Sequence, residues 1–209
     1  IPLIRGKHIS RTVESLIEEA TILSEKGVKE LILIAQDSTY YGMDIYGERR
    51  IAQLIDRLSQ IKGIEWIRLH YAYPAHFPDD LIATIANNPK VCKYVDLPLQ
   101  HISDRVLKAM HRGISRSETI ALVEKLRQNI PGVAIRTTFL VGHPGEDQED
   151  FDELMSFVDE FRLERVGVFT YSEEEGTYAQ QYLADTIPPD EKERRASELM
   201  ELQRNISFM

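Results

Sequence analysis

Hydrophobic positions along the chain alternate between helical spacing and short continuous runs. Residues 13–23 carry apolar side chains at helical spacing after Ser10, a potential N-cap, and Gly27 follows as a stop signal. Residues 31–35 then form an unbroken apolar run, which is typical of a parallel strand covered on both faces. The pattern therefore predicts an α/β protein whose first element here is a helix.

Five such runs predict strands, and a helical pattern follows each of them. The predicted strands are residues 31–35, 66–70, 94–97, 133–141 and 165–170. The predicted helices after the first are residues 50–61, 79–87, 104–112 with Ser103 as N-cap, 115–129 with a Ser115/Glu118 capping box, 147–160, and a final amphipathic helix from 188 almost to 209. This alternation predicts a parallel sheet, arranged as a barrel arc or as an open doubly wound sheet. Residues 173–189 resemble a linker.

The composition is that of an ordinary globular protein, with 209 residues, 43% of them hydrophobic and 28% charged. The net charge of −9 argues against direct nucleic-acid binding by this segment and is compatible with a basic protein partner. The single cysteine, Cys92, excludes an internal disulfide and fits a reducing cytoplasm. We interpret Cys92 as a small buried hydrophobe, and we expect no membrane association.

Polar side chains follow every predicted strand, at the edge where parallel α/β folds collect their functional residues. The five rim segments are residues 36–38, 70–74, 98–103, 142–146 and 169–172. Arg136 lies inside a predicted strand and faces the same side as Thr138. A buried Arg needs an anion, which is either an internal carboxylate such as Asp96 or the carboxylate of a cofactor. The chain has no GxGxxG, Walker or G-x-S-x-G motif.

Several segments together resemble the radical S-adenosylmethionine (SAM) methylthiotransferases. They are residues 1–6 (IPLIRG), 36–47, 97–113, 136–146 and 169–177. In that family the first segment directly follows a CxxxCxxC motif that holds a 4Fe-4S cluster. The resemblance therefore implies that the cluster cysteines precede Ile1, that this chain supplies no metal ligand, and that the first barrel strand and the cluster loop are missing. His143 stands where the family usually has Phe.

Three segments are similar to one branch of the family, which methylthiolates an aspartate of protein twelve of the small ribosomal subunit. They are Gln100-His101-Ile102-Ser103, Tyr71-Ala72-Tyr73-Pro74 and Glu174-Glu175-Gly176-Thr177. The branch that modifies tRNA adenosines usually carries Gln-Ser-Gly-Ser at the first of these positions. The resemblance thus implies a cytoplasmic enzyme with a ribosomal protein as its substrate, and the electron donor stays unidentified.

The resemblance also implies a partial (β/α) barrel of the radical SAM type over residues 1–209, with 173–209 as its final loop and helix. The cofactors that it implies are SAM and two 4Fe-4S clusters, which together insert sulfur at an unactivated carbon. The residues expected to bind SAM are Gln36, Gln100, Ser103, Arg136, Thr138, Val141, Gly142 and Tyr171. We assign no catalytic residue, and without cluster cysteines we expect the chain alone to be inactive.

Three alternatives stay open at this point. One is a tRNA adenosine methylthiotransferase of the same family. Another is a metal-dependent barrel hydrolase, in which His70, His101, His143, Asp37 and Asp96 at strand ends could ligate zinc, although no HxH or HExxH motif is present. The third is a non-catalytic α/β module that binds a ribosomal partner.

Overall fold

Five strands alternate with helices in the computed structural model of the chain, which describes residues 6 and 8–208. The strands are β1 (Glu30–Leu33), β2 (Trp66–Leu69), β3 (Val91–Gln100), β4 (Ala134–Val141) and β5 (Arg165–Thr170). They follow one another in the order β1-β2-β3-β4-β5, and β1/β2, β2/β3 and β4/β5 pair in parallel. The predicted parallel α/β fold is confirmed, and this sequential order is that of a barrel arc, because a doubly wound sheet would reverse its order. The IPLIRG segment lies almost wholly outside the described residues.

The helices cover the stretches between the strands. They are α1 (Val13–Glu25), α2 (Met43–Tyr46), α3 (Ile51–Ser59), α4 (Asp79–Asn87), α5 (Asp104–Ala109), α6 (Arg116–Asn129), α7 (Gln148–Phe161), α8 (Tyr178–Tyr182) and α9 (Pro189–Ser207), with a 3-10 turn at Ser38–Tyr40. The chain divides into two compact units. The N-terminal unit comprises the residues up to Asp96 and Leu126–Val133, and the C-terminal unit comprises Leu97–Lys125 and Ala134–Met209. Within the described residues, no helix is long and apolar enough to cross a bilayer.

Each unit buries an apolar core between its strands and its helices. In the N-terminal unit, Ile55, Ile67 and Leu81 are almost completely buried. In the C-terminal unit, the Phe139 ring of β4 meets the Phe157 ring of α7 edge to face, with centroids 6.3 Å apart. Helix α9 packs on β5 and α7. This packing fixes which side of β4 faces the helices.

The residues of β4 alternate strictly between buried and half-buried side chains. Phe139 and Val141 point to the buried side, so Arg136, Thr138 and Leu140 share the opposite face. In the parallel pairing with β5, Thr138 lies beside Gly167, whose missing side chain leaves this face open. The predicted shared facing of Arg136 and Thr138 is thus confirmed.

The start of the first helix differs from the prediction by two residues. Thr12 is the N-cap of α1, and its side chain accepts a hydrogen bond from the Ser15 N–H. The predicted cap, Ser10, instead accepts a hydrogen bond from the Gly42 N–H at 3.1 Å. Ser10 and Thr12 are both suitable N-cap residues. Because Ser10 bonds to Gly42, Thr12 caps the helix.

The strand β3 is longer than its apolar run indicates and continues through Pro98 to Gln100. Proline tolerates an extended backbone and lacks an N–H, so it fits where the strand does not need a donor. The next residue, Leu99, donates its N–H to the Thr137 side chain at 3.2 Å. Ser103 stands at the N-cap of α5, as predicted, although its side chain does not cap the helix.

Two shorter elements also differ from the prediction. Helix α5 ends at Ala109 and not at Arg112. The predicted linker of residues 173–189 contains α8, which Thr177 caps by accepting the Gln180 N–H. A helix of five residues is too short to show a clear hydrophobic period, so only the capping threonine indicated it.

The predicted capping box at the start of α6 is confirmed. The Ser115 hydroxyl accepts the Glu118 N–H at 3.3 Å, and the Glu118 carboxylate accepts the Ser115 N–H at 2.8 Å. We expect Ser115→Ala to lower the free energy of unfolding by about 1 kcal/mol, because one N-terminal amide loses its acceptor. Urea denaturation measures this change, and a variant as stable as the original chain would contradict the capping role.

Candidate functional site

A cavity of about 370 Å³ opens where β3, β4 and β5 end in the C-terminal unit. Gln100 at the end of β3, Leu140 near the end of β4 and Tyr171 just after β5 line it. His143 and residues 109–112 complete one side, and residues from 172 to 179 complete the other. Its volume suits a small organic molecule. The rim that the sequence predicted is therefore a real concave surface in this unit.

The loop after β4 borders this cavity, and the Glu146 carboxylate binds its backbone amides. Gly142 has φ of +74°, a left-handed conformation that favours glycine. Glu146 folds back under the loop, and its Oε2 accepts the N–H groups of Gly142 at 2.8 Å and His143 at 3.3 Å. Its Oε1 accepts a hydrogen bond from Arg195 of α9 at 2.6 Å. Both partners of this ion pair are buried, which makes the loop conformation depend on them.

His101 lies beside this ion pair and is completely buried. Its Nδ1 is 3.0 Å from the backbone N–H of Ser103, so Nδ1 accepts and the proton of the neutral ring is on Nε2. Burial lowers the pKa of His101 to about 4, although the nearby Asp150 carboxylate acts in the opposite direction. The ring is therefore neutral at pH 7.

The pKa of His101 predicts how the stability of the chain depends on pH. A histidine that stays neutral when folded stabilises the fold fully above its unfolded pKa of 6.5 and loses this contribution as the pH falls towards 4. The difference corresponds to about 3 kcal/mol. Denaturation curves between pH 4 and 7 should show this loss, and His101→Asn should remove it.

The matched control is His76→Asn, because His76 is exposed and its φ of +58° suits asparagine. This variant should keep the full pH dependence of the original chain. Equal slopes for the original chain and His101→Asn would show that His101 is not the residue responsible.

Ser103 and Asp150 extend the buried polar cluster below the rim. The Ser103 hydroxyl donates to Asp150 Oδ1 at 2.5 Å, and Arg105 also bonds to the same carboxylate. Asp150 in turn accepts the N–H of Asp147 at 2.9 Å, as half of the capping box of α7. Ser103 thus ties the segment after β3 to the start of α7, and its hydroxyl hydrogen is used in the bond to Asp150.

Tyr171 has an unsatisfied polar atom at the cavity. Its hydroxyl oxygen is buried and has no hydrogen-bond partner among the described residues. Its ring meets His143 edge to face at 5.4 Å and lies 4.9 Å from the Lys192 Nζ, which pairs with Asp185 at 2.5 Å. A buried hydroxyl without a partner is a donor that a ligand can use.

His143 is the residue that departs from the family pattern. It is buried, and its Nδ1 lies 3.0 Å from the Pro144 carbonyl oxygen, to which it donates. Burial also lowers the pKa of this ring. Its neutral form therefore carries an Nε2 that can accept a hydrogen bond.

The structure brings together only some of the predicted SAM-binding residues. Gln100 and Tyr171 line the cavity, Gly142 lies in its loop, and Arg136 and Thr138 occupy the open face of β4. Val141 and Ser103 are buried, so Val141 can present only backbone there. Gln36 is exposed and belongs to the N-terminal unit.

The residues that support the loop could not be predicted from the sequence. Arg195 and Lys192 are buried, yet both lie in a strongly charged stretch that resembles a solvated helix. The spacing of Gly142 and Glu146 was visible in the sequence, but nothing in it indicated that the carboxylate turns back to the loop amides. Only the packing of α9 shows these roles.

Neither zinc nor an iron–sulfur cluster fits the described residues. Among residues 6 and 8–208, no three His, Cys, Asp or Glu side chains form a group that could hold a metal ion. Cys92 is the single cysteine and cannot supply three thiolates. The cysteines that the family resemblance implies are not among these residues, so the described part of the chain supports no step through a cluster.

Comparison with known proteins finds a matching family profile and close sequence relatives. The sequence profile described as the Radical SAM superfamily matches residues 2–158. Two curated relatives are named ribosomal protein uS12 methylthiotransferase RimO. The one from Bacteroides thetaiotaomicron is 52% identical over 99% of this chain and 48% of its own length. The one from Flavobacterium johnsoniae is 53% identical over 100% of this chain and 47% of its own length. The chain thus spans about half the length of the relatives that it matches.

Solved structures share the fold at low sequence identity. Coproporphyrinogen III oxidase (HemN) from Escherichia coli, a radical SAM enzyme, superposes with a TM-score of 0.69 at 16% identity, over 96% of this chain and 48% of that chain. SuiB from Streptococcus suis bound to S-adenosylmethionine superposes with a TM-score of 0.63 at 15% identity, over 96% of this chain and 43% of that chain. With the profile covering well over half of its residues, the chain belongs to the radical SAM superfamily.

Proposed function

We propose that the protein to which this chain belongs methylthiolates an aspartate of ribosomal protein uS12. The observation that carries the proposal is the identity of 52–53%, over essentially the whole chain, to enzymes named for that reaction. The segments around His101 and Tyr71, which resemble the same branch, agree with it.

The cavity of the C-terminal unit fits SAM. Leu140 and the Tyr171 ring offer apolar surface for the adenine, and the Tyr171 hydroxyl offers an unused hydrogen bond. We assign the Gln100 amide and the backbone around Gly142 to the polar parts of SAM, and Arg136 with Thr138 to its carboxylate. When bound, SAM supplies the hydrogen-abstracting chemistry and the methyl group.

The described residues act by holding and shielding this molecule. The ion pair of Glu146 with Arg195 keeps the loop after β4 in one conformation, so the cavity wall exists before the ligand arrives. Ser103 and Val141, both buried, support the wall from behind. We place the cluster cysteines, and therefore electron entry, outside these residues.

We further propose that residues 1–209 form the barrel core of a longer cytoplasmic enzyme, with 173–209 as its final loop and helix. The net charge of −9 suits a basic protein substrate, because opposite charges speed encounter. It disfavours tRNA, whose phosphates would be repelled.

Incubation of the whole protein with SAM, a reductant and either purified uS12 or tRNA tests the proposal. Mass spectrometry should find one methylthio group on an aspartate of uS12 and none on tRNA. Modified tRNA with unmodified uS12 would contradict the proposed substrate and favour the adenosine-modifying branch.

A further inference from the structure

We propose that His101 is a positioning residue, whose Nε2–H orients the Glu146 carboxylate towards the amides of the loop after β4. The proposal deepens the proposed function, since this loop borders the proposed SAM cavity. His101 itself touches no ligand, because it is completely buried and does not line the cavity.

The direction of the Nε2–H follows from the contact of the other ring nitrogen. Ser103 can only donate its backbone N–H to Nδ1, so the neutral ring must carry its proton on Nε2. Nε2 is buried and lacks a hydrogen-bond partner among the described residues. It lies 3.6 Å from Oε2 of Glu146, the same oxygen that accepts the Gly142 and His143 amides.

Buried N–H groups rarely lack an acceptor. A buried N–H group without one therefore calls for an explanation. The distance of 3.6 Å is longer than a hydrogen bond, yet the N–H dipole still attracts a carboxylate in these water-poor surroundings. Arg195 attracts the other oxygen, Oε1, from α9. The two contacts together fix the rotation of the carboxyl group, which sets where the two loop amides lie.

A purely packing role for the ring is the alternative, and two variants separate it from positioning. His101→Asn places an oxygen near the Nδ1 position and keeps the acceptor for Ser103, but it removes the Nε2–H. His101→Gln places an N–H near the Nε2 position and keeps the donor for Glu146, but it removes the acceptor. Both variants lose the ring.

The test uses the 209-residue chain and two measurements. In ¹H–¹⁵N NMR spectra, His101→Asn should shift the amide signals of Gly142 and His143, whereas His101→Gln should leave them close to their original positions. In titration calorimetry with SAM, His101→Asn should weaken binding about tenfold and His101→Gln by less than about threefold. Equal amide shifts in the two variants, or unmoved amides in His101→Asn, would overturn the proposal.

The imidazole nitrogen signals of the unmodified chain give a result that does not depend on any variant. They should show the neutral ring with its proton on Nε2, and a proton on Nδ1 would contradict the proposal. If the amides shift in His101→Asn and not in His101→Gln, but neither variant changes SAM binding, the positioning role stands and the assignment of the cavity to SAM fails.

Discussion

Glu146→Gln should lower the free energy of unfolding by about 3–5 kcal/mol, the largest effect that we expect from a single polar substitution. The substitution keeps the shape of the side chain but removes the charge that balances the buried Arg195. It also replaces one of the two acceptor oxygens with an NH₂ group, so either the loop amides of Gly142 and His143 or Arg195 lose their acceptor. Urea denaturation at pH 7 measures the change.

The matched control is Glu160→Gln, an exposed glutamate of α7 that should change stability by less than about 0.5 kcal/mol. Arg195→Met and the double variant complete a double-mutant cycle. The double variant should lose less free energy of unfolding than the two single variants lose in total. Additive losses would show that Glu146 and Arg195 do not depend on each other.

Gly142→Ala should destabilise the chain and abolish SAM binding. At φ of +74°, any side chain costs about 1–2 kcal/mol. An added Cβ would also lie 3.0 Å from Cβ and Cδ of Lys192 and closer still to Cγ. Because Lys192 is buried and paired with Asp185, it cannot move aside without breaking that ion pair. Thermal melting and titration calorimetry with SAM measure the two effects.

Gly145→Ala is the control for backbone strain alone. Gly145 has φ of +88°, and nothing lies within 4 Å of an added Cβ. This variant should lose about 1–2 kcal/mol of stability, and Gly142→Ala should lose clearly more. If the two variants are equally stable and both bind SAM like the original chain, the contact between Lys192 and Gly142 has no role in shaping the cavity.

The sequence predicted the elements well wherever burial has a simple period. The helix 79–87 and the strand 165–170 match α4 and β5, and β4 alternates as its pattern indicates. Predictions failed where a distant partner decided the outcome. Ser10 bonds to Gly42 and not to its own helix, and the strand β3 continues through Pro98 to Gln100.

The site was predicted only in part for the same reason. Rim position identified Gln100, Gly142 and Tyr171, because strand ends can be located from the apolar runs. It could not identify Arg195 or Lys192, which lie on a charged helix and become buried only when α9 packs on β5 and α7. The family resemblance predicted the chemistry, whereas the residues that support the loop after β4 could be identified only from the packing of α9.

Intact-mass spectrometry of small-subunit ribosomal proteins, from cells with and without the full-length gene, shows whether the gene product methylthiolates uS12. We expect uS12 to carry one methylthio group in cells with the gene and to lack it in cells without it. An identical mass of uS12 in both strains would refute the proposed reaction.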